Sequence, residues 1–288
     1  MLADAIRSEA YRFSKNRLTV FWSTMFVPIA GLVIAVGTFF FMKAREAELV
    51  GKMPPEIANL TSGGPLDLGV SLADSAGDLA NPLTLLFLLI GAATVYAGDY
   101  RWESWRLTSA RNTRPNLLLG KLVVVTGLAL LGMVAWLVSG FVSDLIKAAI
   151  FDRPLSFSFS DETAANLFGL TGLAWLRIVQ FAMVSLLAAV MTRSLLAALF
   201  VPLVVAVGQF FTMQSLPLLG LEPQDWISQL LLPGMGYDML KVLIEGGPTA
   251  GGMPDGVAIK AWISLVLWTA LPLAGAIAWF RRQDLSKE

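Results

Sequence analysis

The sequence of 288 residues contains no cysteine and no histidine. Without cysteine it forms no disulfide bond and offers no thiolate to a metal ion or an iron–sulfur cluster. Without histidine it lacks the imidazole used by zinc proteases, by Ser-His hydrolases and by histidine-ligated haem proteins. Only carboxylate, lysine, tyrosine and serine chemistry would remain, so we expect the chain not to be an enzyme.

Charged residues are also scarce. They make up 15% of the chain against 56% hydrophobic residues, and the mean hydropathy is +0.68. Soluble proteins average about 25% charged residues. The 21 basic residues are matched by 21 acidic ones, which argues against the basic field of a nucleic-acid-binding protein. The composition predicts an integral membrane protein with no nucleic-acid partner.

Long apolar stretches fill most of the chain. A membrane-spanning helix needs about 20 apolar residues to cross roughly 30 Å of hydrocarbon. Six stretches meet this requirement, at residues 20–42, 82–98, 117–142, 173–191, 195–213 and 261–280. We therefore predict an all-α fold, with residues 1–288 forming a single transmembrane domain.

The charges are divided unequally between the two sides of these spans. The two termini, the connection between spans two and three and the turn between spans four and five carry thirteen basic and six acidic residues. The rest of the chain carries eight basic and fifteen acidic residues. Because basic loops remain on the cytoplasmic side, both termini are predicted to be cytoplasmic.

Residues 1–18 are predicted to form an amphipathic helix that lies on the inner membrane surface. Glu9 falls close to its apolar side, which is formed by Leu2, Ile6, Ala10 and Phe13. The alternative is a solvated, positively charged leader that only sets the topology.

The connection between spans two and three is predicted to form a short cytoplasmic helix over about residues 101–111. Trp102 and Trp105 are three residues apart, so on a helix they share one side. Exposed tryptophans beside arginines are typical of a protein-docking surface. The alternative is that both tryptophans anchor the membrane interface.

Residues 214–259, before span six, contain an apolar segment that is interrupted at 233–236. The apolar segment runs over residues 226–244, and each of its two halves is too short to cross the membrane. We predict two re-entrant helices that dip into the outer leaflet, because irregular backbone is tolerated there when protein covers it. A solvent-exposed amphipathic pair is the alternative.

Three polar residues inside the spans are candidates for lining a translocation path, namely Arg177, Gln180 and Gln209. An arginine at mid-membrane costs about 2.5–3.5 kcal/mol, so it should face protein or water or extend to the interface. The expected alternatives for Arg177 are pairing with Asp144 and snorkelling to the outer interface.

The chain resembles the membrane subunits of the type-2 ABC transporter family, the type V ABC exporters. The resemblance covers the six spans, the interfacial helix, the cytoplasmic termini and the re-entrant segment. Its most specific part follows span two, where Glu103, Arg111 and Gly120-Lys121 match the family's layout around its coupling helix. The first outer loop is longer than in the compact lipid-exporting members, so the substrate class is not carried over.

The resemblance implies a permease dimer, homomeric or heteromeric, in a bacterial cytoplasmic (inner) membrane. Two copies of a separate ATPase subunit would bind ATP, and the chain itself would need no cofactor. The implied ATPase-docking residues are Trp102, Glu103, Trp105, Arg106 and Arg111. The alternative function is a non-transport membrane immunity or assembly factor that binds a partner protein.

Overall fold

A computed structural model describes residues 1–45, 64–101, 105 and 112–283, without the side chains of residues 248 and 249. Helices account for nearly all of its regular structure. They are α1 (Leu2–Lys15), α2 (Arg17–Thr24), α3 (Phe26–Ala44), α4 (Leu68–Gly77), α5 (Pro82–Arg101), α6 (Arg114–Ile150), α7 (Asp161–Thr192), α8 (Leu195–Ser215), α9 (Trp226–Leu231), α10 (Met235–Glu245), α11 (Pro248–Gly251) and α12 (Val257–Arg282), with a 3₁₀ turn at Leu216–Leu219.

Six of the described helices are long and apolar enough to cross a membrane. They are α3, α5, α6, α7, α8 with its following 3₁₀ turn, and α12. The predicted all-helical architecture with six long apolar helices is confirmed. Together with the composition, it identifies a multi-pass membrane protein.

The first predicted span, residues 20–42, is divided between α2 and α3 at Met25. Pro28 has no amide hydrogen to donate to the carbonyl of Thr24, so the helix loses one bond next to Met25. Next to this break, the carbonyl of Pro28 accepts a hydrogen bond of 2.7 Å from the hydroxyl of Ser139, which joins the helix to α6.

Helices α6 and α7 extend well beyond the predicted ranges 117–142 and 173–191. Helix α6 has 37 residues, about 55 Å at 1.5 Å per residue, and α7 has 32. Hydropathy marks only the apolar part of each helix. Helix α7 starts earlier because the Ser160 hydroxyl accepts a bond of 3.1 Å from the amide of Thr163 and caps it.

Helix α7 occupies the centre of the bundle. Most of its apolar segment is buried, whereas α3 and α8 are buried over only a small part of theirs. Only Arg193 and Ser194 separate α7 from α8, and Arg193 adopts the left-handed conformation with a φ of 57°. The hydroxyl of Ser185 also donates to the carbonyl of Ala198 at 2.7 Å. These two helices therefore form a tight antiparallel hairpin.

Helix α1 packs against the first turns of α6 through Gly120. A Cβ atom at this position would lie 3.0 Å from Cβ of Ala5 and 3.1 Å from its carbonyl carbon. Because backbone cannot move aside as a side-chain tip can, a larger residue would push α1 away from α6.

A short parallel strand pair, β1 (Leu66–Asp67) and β2 (Leu155–Ser156), lies at the other end of α6. The Asp67 carboxylate accepts hydrogen bonds from the hydroxyl and amide of Ser158 and from the amides of Gly69 and Val70. These bonds, above all those from Ser158, lower the pKa of Asp67 to about 2.

Candidate functional site

Four charged side chains meet where α1, α5 and α6 pack together. Three of them are almost fully buried: Lys121 is 1% exposed, Asp99 3% and Glu9 9%. Arg12 is 43% exposed and closes the group toward solvent. We call these four residues the buried ion cluster.

Lys121 is the centre of the buried ion cluster. Its Nζ atom lies 2.6 Å from Oδ2 of Asp99 and 3.2 Å from Oε2 of Glu9, and it donates to the carbonyl of Val95 at 2.7 Å. All three ammonium donors are therefore used. Because Glu9 belongs to α1 and Asp99 to α5, Lys121 on α6 connects three helices.

Arg12 holds Asp99 from the other side. Its Nη1 and Nη2 atoms donate to the two carboxylate oxygens of Asp99 at 2.8 and 3.1 Å, and Nη2 also donates to Glu9. These hydrogen bonds, first that to Asp99, raise the pKa of Arg12. With two cations and two carboxylates the cluster is neutral, and each charge has a partner of opposite sign.

Trp105 lies beside this cluster. It is 1% exposed and packs against Phe280 and Tyr100, with ring centroids 4.7 and 5.5 Å apart, while Nζ of Lys121 lies 5.3 Å from its centroid. The prediction that Trp105 is exposed is therefore wrong, whereas its role in docking stays a prediction. The other predicted docking residues, Trp102, Glu103, Arg106 and Arg111, lie outside the described residues. So does most of the helix predicted over 101–111, of which only residues 101 and 105 are described.

Residues on either side of the 102–111 segment are hydrogen-bonded to the end of α12. The hydroxyl of Tyr100 donates to Oε1 of Gln283 at 3.0 Å. On the other side, Nη1 of Arg114 donates to the carbonyl of Gln283 at 2.6 Å and to that of Phe280 at 3.2 Å. A displacement of this segment would therefore reach α12 as well as α5 and α6.

A second polar group forms around the break between α9 and α10. Nε2 of Gln180 donates to the carbonyl of Pro233, and Oε1 of Gln209 accepts from the amide of Gly234 at 2.8 Å. Nη1 of Arg177 donates to Oε1 of Gln180 at 3.4 Å. The structure thus brings together the three polar residues singled out in the spans. The two glutamines satisfy the interrupted backbone, as a buried chain break requires.

The Arg177 side chain remains inside the bundle. The residue is 8% exposed, and its guanidinium carbon lies 4.6 Å from the ring centroid of Phe181 and 5.3 Å from that of Tyr237. Phe181 is one turn closer to Thr192, so the guanidinium points away from the Asp161 end of α7, which argues against the snorkelling alternative. Pairing with Asp144 is wrong, because the one hydrogen bond of Arg177 among the described residues goes to Gln180, whereas Asp144 accepts from Ser71.

Sequence reasoning missed the buried ion cluster. Glu9 was visible as a charge on the apolar side of an amphipathic helix, and a buried charge requires a partner. Its partners could not be read from the sequence, because Asp99 and Lys121 lie 90 and 112 residues further along the chain.

Among the described residues, no group of three or more carboxylate side chains is suited to hold a metal ion. Comparison with models of known protein families gives no match, and comparison with curated protein sequences gives none either.

Proposed function

We propose that the protein is the permease subunit of an ATP-driven ABC exporter, in which a dimer of such chains forms the translocation path and couples to two separate ATPase subunits. The observation that carries this proposal is the buried ion cluster. It connects α1, the end of α5 and the start of α6 around the 102–111 segment.

The proposed orientation places both termini, α1 and the 102–111 segment on the cytoplasmic side of a bacterial inner membrane. The excess of basic residues in these segments supports it. Helix α1 would lie on the inner leaflet, with its charged residues split between solvent and the cluster.

Helices α9 and α10 are proposed to be re-entrant. Gln180, which bonds the break between them, is twelve residues from the end of α7 at Thr192, or about 18 Å along the helix. The break therefore lies beside the middle of α7. Its backbone groups are bonded by amide side chains, which is the condition for irregular backbone at membrane depth.

In the proposed mechanism, ATP binding closes the two ATPase subunits against the 102–111 segments. Trp105 packs against Phe280, and Lys121 holds Glu9 and Asp99, so the segment is attached to α12, α1, α5 and α6. The segment and these helix ends would move as one body, which would open a path between the protomers. The chain itself would not hydrolyse ATP.

The test is copurification and reconstitution of the full chain with a separately expressed ABC ATPase subunit from the same organism. Charge reversal of the segment, Arg106→Glu with Arg111→Glu, should lower ATPase stimulation about tenfold or more without changing the thermal midpoint. The matched control is Arg153→Glu at the opposite end of α6, which should leave stimulation unchanged. If no ATPase copurifies with the chain or is stimulated by it, the proposal is wrong, and a partner-binding assembly role takes its place.

A further inference from the structure

A cavity of about 570 Å³ lies between α5, α7, α8 and α10, within the roughly 300–1,000 Å³ typical of small-ligand sites. Its lining is apolar except for a few polar residues. Arg177 and Asp238 are the charged ones, and they carry opposite charges.

Arg177 is a buried cation with unused donors. Its guanidinium has five N–H groups, and within the described part of the chain it makes one hydrogen bond, the 3.4 Å contact with Gln180, and no ion pair. Burying an arginine that has no carboxylate partner is costly. An anionic group that enters the cavity would bind these donors with charge-assisted hydrogen bonds.

Asp238 lies one turn beyond the break at Gly234, on α10. Its half-buried carboxylate accepts no hydrogen bond and forms no ion pair with any of the residues that the structure describes. Arg177 and Asp238 therefore face one cavity without contacting each other. Each charge is therefore available to a ligand that enters the cavity.

The apolar walls of the cavity continue onto the outside of the bundle. Leu85 and Leu89 of α5 form a buried wall, while Val207, Phe210 and Phe211 of α8 are 56%, 60% and 64% exposed. Exposed aromatic and branched side chains on an apolar helix face lipid in a membrane. A hydrocarbon chain can therefore enter the cavity sideways between these residues.

We infer that this cavity binds one zwitterionic amphiphile, with its phosphate on Arg177, its ammonium near Asp238 and a hydrocarbon chain against α5 and α8. A purely anionic head group would face Asp238, and a purely cationic one would face Arg177, so the charge pair favours the zwitterion. That the bound amphiphile is transported rests on the proposed function. Its binding does not, because it can be measured on the isolated chain.

Gly234 positions the arginine. A Cβ atom at this residue would lie 2.2 Å from both Nη1 and Nη2 of Arg177 and 2.1 Å from Nε2 of Gln209. Gly234→Ala must therefore move the guanidinium of Arg177 without removing its positive charge. It tests the position of Arg177 separately from its charge.

The experiment uses the purified full-length chain in detergent with equal amounts of phosphatidylethanolamine and phosphatidylglycerol. Retained lipid is counted by native mass spectrometry. The wild type should keep one phosphatidylethanolamine with about tenfold preference or more. Arg177→Gln and Gly234→Ala should reduce its retention about tenfold. Asp238→Asn should abolish the preference or reverse it toward phosphatidylglycerol.

The matched control is Arg17→Gln, because Arg17 is an exposed arginine that lines a different apolar groove of similar volume, about 580 Å³, between α1, α2 and α6. It should leave the preference unchanged. Equal retention of both lipids by the wild type overturns the inference, as does loss of lipid in Arg17→Gln with retention in Arg177→Gln. If Arg177→Gln fails to fold, the ratio measured with Asp238→Asn decides. No ATPase is present, so a failure to bind lipid is distinct from a failure to stimulate ATPase.

Discussion

Replacing Lys121 by methionine keeps most of the side-chain volume and removes the central cation of the buried ion cluster. Two carboxylates, Glu9 and Asp99, would then share Arg12 alone, and the carbonyl of Val95 would lose its bond. An uncompensated buried charge costs about 3–5 kcal/mol, of which the lost hydrogen bond accounts for about 1 kcal/mol.

The assay is thermal unfolding of the purified chain in detergent. At roughly 2–4 °C per kcal/mol, the midpoint of Lys121→Met should fall by roughly 6–20 °C. The midpoint of the single variant Asp99→Asn should fall by a similar amount, because this change leaves an excess cation in the cluster. The double variant keeps a neutral pair of Glu9 and Arg12, so it should recover to within about 2 kcal/mol of the wild type.

The double-mutant cycle measures the coupling energy between Lys121 and Asp99, which decides the test. Single losses of about 3–5 kcal/mol each and a double loss of at most about 2 kcal/mol give an expected coupling energy of about 4 kcal/mol or more between Lys121 and Asp99. The two side chains are in direct contact at 2.6 Å. If Lys121→Met unfolds at the wild-type midpoint, or if the double variant loses the sum of both single losses, the cluster does not hold the helices together as argued.

Three further results are expected. Trp105→Ala removes a fully buried ring and should cost about 3–5 kcal/mol as well as ATPase stimulation, whereas Trp105→Phe should keep most of both; a wild-type midpoint for the alanine variant would contradict its burial. Gly120→Leu should separate α1 from α6, because its side chain would collide with Ala5, and limited proteolysis should then release the N-terminal segment faster than in the wild type. The Asp67 carboxylate caps α4, and its hydrogen bonds with Ser158 keep its pKa near 2. The cap therefore stabilises α4 above about pH 4 and is lost as the pH falls toward 2. Pepsin cleavage near β1 should rise over that window, and Asp67→Asn should remove this pH dependence.

The six long apolar helices were predictable because each carries a hydropathy signal over its own length. The full length of α7 was not, since its first turns are polar and depend on the cap at Ser160. The first span was predicted as one helix, but Pro28 removes the bond that would have kept it continuous at Met25.

Among the residues of the site, some could also be predicted from the sequence and others could not. Arg177, Gln180 and Gln209 stand out in the sequence because they interrupt apolar runs, and the structure brings them together around the break at Pro233 and Gly234. The burial of Trp105 was not predictable, because its contact with Phe280 joins positions 175 residues apart. Patterns within one helix identify polar exceptions, but only the packing of distant helices decides what each exception contacts.

The two-residue turn at Arg193 and Ser194 bears on how the protein enters the membrane. A connection this short keeps α7 and α8 side by side from the moment both are made, so we expect them to insert together as a helical hairpin. Gln209 of α8 then enters with Arg177 of α7, but Gly234 and Tyr237, which complete the surroundings of the arginine, are translated later. The charge in the middle of α7 is therefore left partly unsatisfied until the α9–α10 segment follows, which makes that segment a late step in the assembly of the chain.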